Sequence, residues 1–106
     1  MNKCVIFVGA KPFMDYVTNV VMQFTVKDAD VVLVKARGRF ISKAVDVVQV
    51  AMHRFLNSVA VVGDVYIGSE EYKVQDGTTV RVSNIEITIR KIGDNSTQSN
   101  QGRSVV

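Results

Sequence analysis

The chain has 106 residues, 47% of them hydrophobic, and 13 Lys and Arg against 10 Asp and Glu give a net charge of +3. That length suits one domain with its own core, and the apolar content excludes disorder over most of the chain. A single cysteine excludes an intramolecular disulfide and no run of 18 apolar residues is present, so a cytoplasmic protein without a membrane partner is expected.

Cys4 to Val8 is a continuous apolar run ending at Gly9, which predicts a buried strand holding an inert cysteine. Pro12 suits the first turn of a helix, where an N–H has no intrahelical partner. From there Phe13, Tyr16, Val17, Val20, Val21 and Phe24 recur at spacings of three and four and form one apolar stripe. Val31 to Val34 predicts a second buried strand. Beyond it Lys35 and Arg37 alternate onto one face, Gly38 breaks the pattern, and Arg39 stands at the mouth of the next helix.

That helix is predicted from Phe40 to Phe55, with Ile41, Ala44, Val45, Val48, Met52 and Phe55 as its core stripe. Ser42, Asp46, Gln49 and His53 form a polar stripe. Val47 and Val50 fall outside both and suggest a partner surface. Two long strands follow, Val59 to Gln75 and Thr78 to Lys91, separated by Asp76-Gly77, the signature of a two-residue type I′ hairpin turn. Ile85, Ile87 and Ile89 alternate inward, but Val80 and Val82 lie in the opposite phase, which calls for a bulge or a change of buried face.

Strands of about twelve residues at ~3.3 Å each make a hairpin of roughly 40 Å. A compact domain of this size has a radius of gyration of only about 13 Å, so part of the hairpin must project as an arm. The element order is βαβαββ. It predicts a two-layer α/β (α+β) domain over residues 1–92, with two helices on one face of a mixed four-stranded sheet. Residues 93–106, GDNSTQSNQGRSVV, have no apolar periodicity and are expected to be a flexible tail.

Catalytic chemistry lacks the groups it needs. His53 is the only histidine, Cys4 the only cysteine, and Asp15 and Asp46 fall on different helices, so no catalytic residue, metal site or cofactor is expected. Gly9-Ala-Lys-Pro12 occupies a strand-to-helix turn but lacks the second glycine and the Lys-Ser/Thr ending of a phosphate loop. Binding chemistry is better supplied. The eleven residues from Lys35 to Val45 carry four cations, Lys35, Arg37, Arg39 and Lys43, and no acid. Guanidinium groups around an exposed glycine backbone match phosphate geometry, so a polyanion is the expected ligand. Lys11 precedes a helix N-terminus, which also favours an anion. Tyr66 and Tyr72 are expected in sheet packing.

The segments VGAKPFMDYV, VLVKARGRFISKAVD and RVSNIEITIRK resemble the Alba family of small archaeal chromatin proteins, and the resemblance extends over about residues 4–91. The resemblance implies a homodimer that coats and compacts double-stranded DNA, or binds RNA, with little sequence preference. It places Lys11, Arg37, Arg39 and Lys43 on phosphates from the body, beside Lys35, and matches Arg81 to a basic residue of the arm that enters the minor groove; Lys73, which flanks the arm tip with Arg81, is a further nucleic-acid-binding candidate read from the sequence itself. Phe55, with Arg54 beside it, corresponds to the aromatic through which neighbouring dimers touch along DNA. Two features depart from the family pattern. Ala10 replaces the lysine that is its acetylation target, and the arm tip Asp76-Gly-Thr-Thr79 lacks a basic residue after the glycine. Both fit weaker arm binding, or a specialised paralogue that forms heterodimers with a more basic partner. Chromosome association and higher-order assembly along DNA are implied as well; the alternative is an RNA chaperone or a ribonuclease P-type subunit.

Overall fold

The computed structural model describes residues 2–93, so the expected flexible tail falls, past Gly93, outside the described residues. The chain runs β1 (Lys3–Phe7), α1 (Phe13–Thr25), β2 (Val31–Arg37), a 3₁₀ turn (Gly38–Phe40), α2 (Ile41–Ala51), a π-helical turn (Met52–Leu56), β3 (Ala60–Lys73) and β4 (Thr79–Lys91). The sheet order is β1-β2-β4-β3; β1 and β2 are parallel and the other neighbours antiparallel. This is the mixed four-stranded sheet that the element order predicts.

Period-two alternation decides which sheet face the helices cover. Ile6, Val32, Val34, Ala36, Ile85, Ile87 and Ile89 point into the core, where they meet Tyr16, Val17, Val20 and Phe24 of α1. Among the described residues the other face is left open, which corrects the expectation of a buried first strand. Val5 and Phe7 stand on that open face, and Phe7 is 68% exposed. An unbroken apolar run cannot tell a strand covered on both faces from an edge strand covered on one. Tyr66 and Tyr72, expected in sheet packing, are likewise exposed.

The second helix departs from its predicted stripe. Ala44, Val47, Val48 and Ala51 are its buried positions, so Val47 belongs to the core and Val50 packs against it, not to a partner surface. Val45 faces outward. Continuing that stripe by four residues from Ala51 would bury Phe55. The π turn widens the ring from four residues to five, so the core position falls to Leu56 instead. Leu56 is fully buried and Phe55 is 48% exposed.

β3 and β4 pair from Ala60 with Lys91 to Lys73 with Thr79, with one register shift between Val62 and Val65. The bulge thus lies in β3. In β4 the alternation runs through unbroken, and Val80 and Val82 simply occupy the face opposite Ile85. The outer hairpin projects as the expected arm, and the molecule measures 53 × 27 × 25 Å. Its tip is not the predicted two-residue turn. The Gly77 N–H bonds the Val74 carbonyl at 3.0 Å, and within the tip only Gly77 has positive φ, at 89°. Asp76 Oδ1 instead accepts from the Thr78 N–H at 2.8 Å. That bond suits Asp76 to a three-residue loop ending on a left-handed glycine.

Asp28, at φ 58°, pairs with Lys91 and so ties the α1–β2 loop to the end of β4. The hydrogen bond from Lys91, then its charge, holds the Asp28 carboxyl below its usual 3.8, and the same bond raises Lys91. A lowered carboxylate stabilises fully above the unfolded value and loses that contribution as pH falls through the folded one. Asp28→Asn, which tolerates the same backbone, should therefore lower Tm slightly at neutral pH. The difference from wild type should vanish as the pH drops well below 3.8. Thermal melts across that range would expose a parallel offset if the pair contributes nothing.

Candidate nucleic-acid interface

Three segments converge where the arm leaves the body. The β1–α1 loop, the β2–α2 turn and the root of the arm line one groove of about 430 Å³, with Gly9, Lys35, Arg37, Arg39, Phe40 and Tyr72 among its walls. Gly38, at φ 55°, turns the chain from strand into helix and is the residue that tolerates this backbone. Arg37 therefore ends the strand on the open face, and Arg39 begins the helical turn with its guanidinium 4.8 Å from the Phe40 ring.

The cluster that carries no acid in sequence acquires acids in space. Lys35 pairs with Glu86 at 3.2 Å, its register partner on β4, and Arg37 pairs with Glu70 at 3.6 Å. On the arm, Arg81 is held by Glu71 and by Ser69. Among the described residues Lys11, Arg39 and Lys73 have no carboxylate within ion-pair distance. The expectation of an unneutralised cluster is thus corrected, because neighbouring strands present carboxylates that lie more than thirty residues away in sequence. Each pair is solvent-exposed and worth about 0–1 kcal/mol, so a phosphate can compete for the cation.

Lys43 differs from the others. Its ammonium donates to the carbonyls of Gly9 and Lys11, both at 2.6 Å, and sits 5.2 Å from the Tyr16 ring. The Tyr16 hydroxyl accepts from the N–H groups of Gly9 at 2.9 Å and Lys11 at 3.2 Å. Lys11's own side chain remains exposed.

Aromatic rings accompany the cations, which sequence reading did not anticipate. Lys35 lies 5.5 Å from the Phe7 ring and Arg37 5.9 Å from the Tyr72 ring, within cation–π range. No sequence signal marks these contacts, since they depend on strand order. Lys73 and Arg81 stand farther out on the arm, flanking its tip. Phe55 and Arg54 lie exposed on the π turn, with His53 Nε2 at 3.0 Å from Gln49 Oε1 on the adjoining helical turn. Among the described residues no helix is long and apolar enough to cross a membrane.

The Alba family model matches residues 5–69. The chain is 46% identical over 87 residues to the DNA/RNA-binding protein Alba of Methanocella arvoryzae, covering 82% of this chain and 88% of the relative. It is 39% identical to the protein of the same name from Methanococcus maripaludis, covering 82% of this chain and 97% of that one. Among solved structures, Alba from Thermoplasma volcanium superposes with a TM-score of 0.74 at 42% identity, over 81% of this chain and 98% of that one.

Proposed function

Since the chain belongs to the Alba family, we propose that it binds nucleic acid as a dimer and acts as a sequence-tolerant architectural protein on chromosomal double-stranded DNA. The observation that carries this reading is the groove at the root of a projecting arm, lined by Lys35, Arg37 and Arg39 beside the β1–α1 loop that carries the exposed Lys11, with Lys11 and Arg39 free of ion pairs among the described residues. In this reading Lys11, Lys35, Arg37 and Arg39 of the body contact phosphates, and Lys73 and Arg81 do so along the arm. Phosphate contact confers affinity without sequence preference, and a minor-groove arm reads little beyond groove width.

The dimer reading is supported by an apolar strip that the described residues leave uncovered. Val62, Val65 and Ile67 share a face with the buried Ile89, Ile87 and Ile85, but lie on β3 beyond the two helices. A second copy, or a more basic paralogue, covers that strip and brings two arms to one duplex. Phe55, with Arg54, then serves contact between neighbouring dimers, since its exposure leaves the ring available.

RNA is the second reading, favoured by the rings of Phe7 and Tyr72 beside Lys35 and Arg37, flat surfaces on which unpaired bases stack. Titration of matched DNA and RNA duplexes of two unrelated sequences, at several salt concentrations, separates the two. DNA binding independent of sequence and steeply weakened by salt supports chromatin packing, while tighter RNA binding moves the assignment to a ribonucleoprotein. In the same assay Arg39→Ala should weaken every duplex by about 3- to 10-fold per protomer and lower the salt slope by about one per protomer, about two for the dimer. A loss confined to one base sequence would remove Arg39 from the phosphates.

A further inference from the structure

The four cations of the Lys35–Lys43 stretch do not do the same work. Lys43 comes from α2 and crosses to the β1–α1 loop, where two of its three protons meet the Gly9 and Lys11 carbonyls at 2.6 Å. Tyr16 comes from α1, is 8% exposed, and receives the Gly9 and Lys11 N–H groups on one hydroxyl oxygen. Between them these two side chains hold both the donor and the acceptor of each residue, at 9 and at 11. The Lys43 ammonium also lies over the Tyr16 ring and 5.8 Å from the Phe40 ring, so the two halves of the arrangement support one another.

Two consequences follow for an approaching polyanion. The carbonyl oxygens of Gly9 and Lys11, which would repel phosphate, are turned toward Lys43. The amides of the same residues are turned to Tyr16, so this loop offers an anion no backbone cradle from Gly9 or Lys11. The exposed Lys11 side chain is what the loop presents, on a backbone fixed from two helices.

We propose that Tyr16 and Lys43 form a positioning lock that aims Lys11 at a phosphate, and that Lys43 is a positioning residue without phosphate contact of its own. The proposal rests on the nucleic-acid reading above. A ligand that makes a direct salt link releases counterions, whereas a lock alters affinity only through the residue it aims.

The test uses the full chain and a 20-base-pair DNA duplex of mixed sequence, titrated from low to moderate salt. Lys11→Ala should weaken binding about 3- to 10-fold per protomer and lower the salt slope by about one per protomer, about two for the dimer. Tyr16→Phe, which removes no charge, should weaken binding about 3-fold at unchanged slope, and Lys43→Met should do the same. In the Lys11→Ala background neither should cost anything further, because residues acting through one group are not additive. Circular dichroism and Tm establish that each variant is folded, and Lys43→Met carries the test if Tyr16→Phe is not. A Lys43→Met variant whose slope falls by about one per protomer and whose loss adds to that of Lys11→Ala would make Lys43 a direct ligand and overturn the lock. So would folded variants that bind the duplex as wild type does. Wild-type protein that shows no salt-sensitive binding overturns the nucleic-acid reading itself, an outcome distinct from either.

Discussion

Leu56→Ala is expected to destabilise the protein by about 2–5 kcal/mol, the range for truncating a fully buried leucine in a core that cannot collapse around the gap. Phe55→Ala, one residue earlier and half exposed, should stay within about 1 kcal/mol of wild type. The contrast isolates the π turn. An uninterrupted α-helix would place residue 55 on the core face and make Phe55→Ala the costly change. Urea unfolding of both variants measures this directly, and equal losses, or the reverse order, would show that the turn does not rotate the helix end. The same pair separates folding from assembly. Phe55→Ala should leave binding of a single short duplex intact and reduce cooperativity on long DNA, because in the proposed assembly only contact between neighbouring dimers uses the exposed ring.

Ile67→Glu should convert the proposed dimer to a monomer. Ile67 is 74% exposed and Val65 55%, so the folded single chain accommodates a charge there without loss. Inside an interface the same carboxylate would be buried unpaired, a cost of several kcal/mol, which corresponds to a dimer dissociation constant raised by about a thousandfold. Sedimentation would register the change in mass. Duplex affinity should fall by about 100-fold as well, because two arms joined in one particle bind at high effective concentration and two separate arms do not. A variant that stays dimeric would place the interface elsewhere. A monomer that binds as tightly as wild type would mean that a single body and arm suffice.

These predictions draw on features of different legibility. The stripe of α1 was readable because a period of 3.6 residues leaves a clear record when one face is buried, and Tyr16, Val17, Val20 and Phe24 are all buried as the spacing requires. The alternation of Ile85, Ile87 and Ile89 was readable for the same reason. Reading failed where a local irregularity changes the period, as at Met52–Leu56, since nothing in that composition announces an extra residue per turn. It failed again at the arm tip, where Asp-Gly has two compatible hairpin geometries and the bond from Thr78 to the Asp76 side chain accompanies the longer one.

At the candidate site, residue type was legible and residue state was not. The sequence by itself determined the βαβαββ order, the projecting hairpin and the concentration of Lys11, Lys35, Arg37, Arg39 and Lys43 around two strand-to-helix turns, because periodicity, turn residues and local charge are properties of neighbours along the chain. Only the tertiary structure decided that Glu86 and Glu70 pair with Lys35 and Arg37, that Lys43 is bound to backbone carbonyls, and that among the described residues Lys11 and Arg39 remain without carboxylates. Ion pairing and hydrogen bonding act over a few ångströms of space, and strand order sets those distances between residues far apart in the chain.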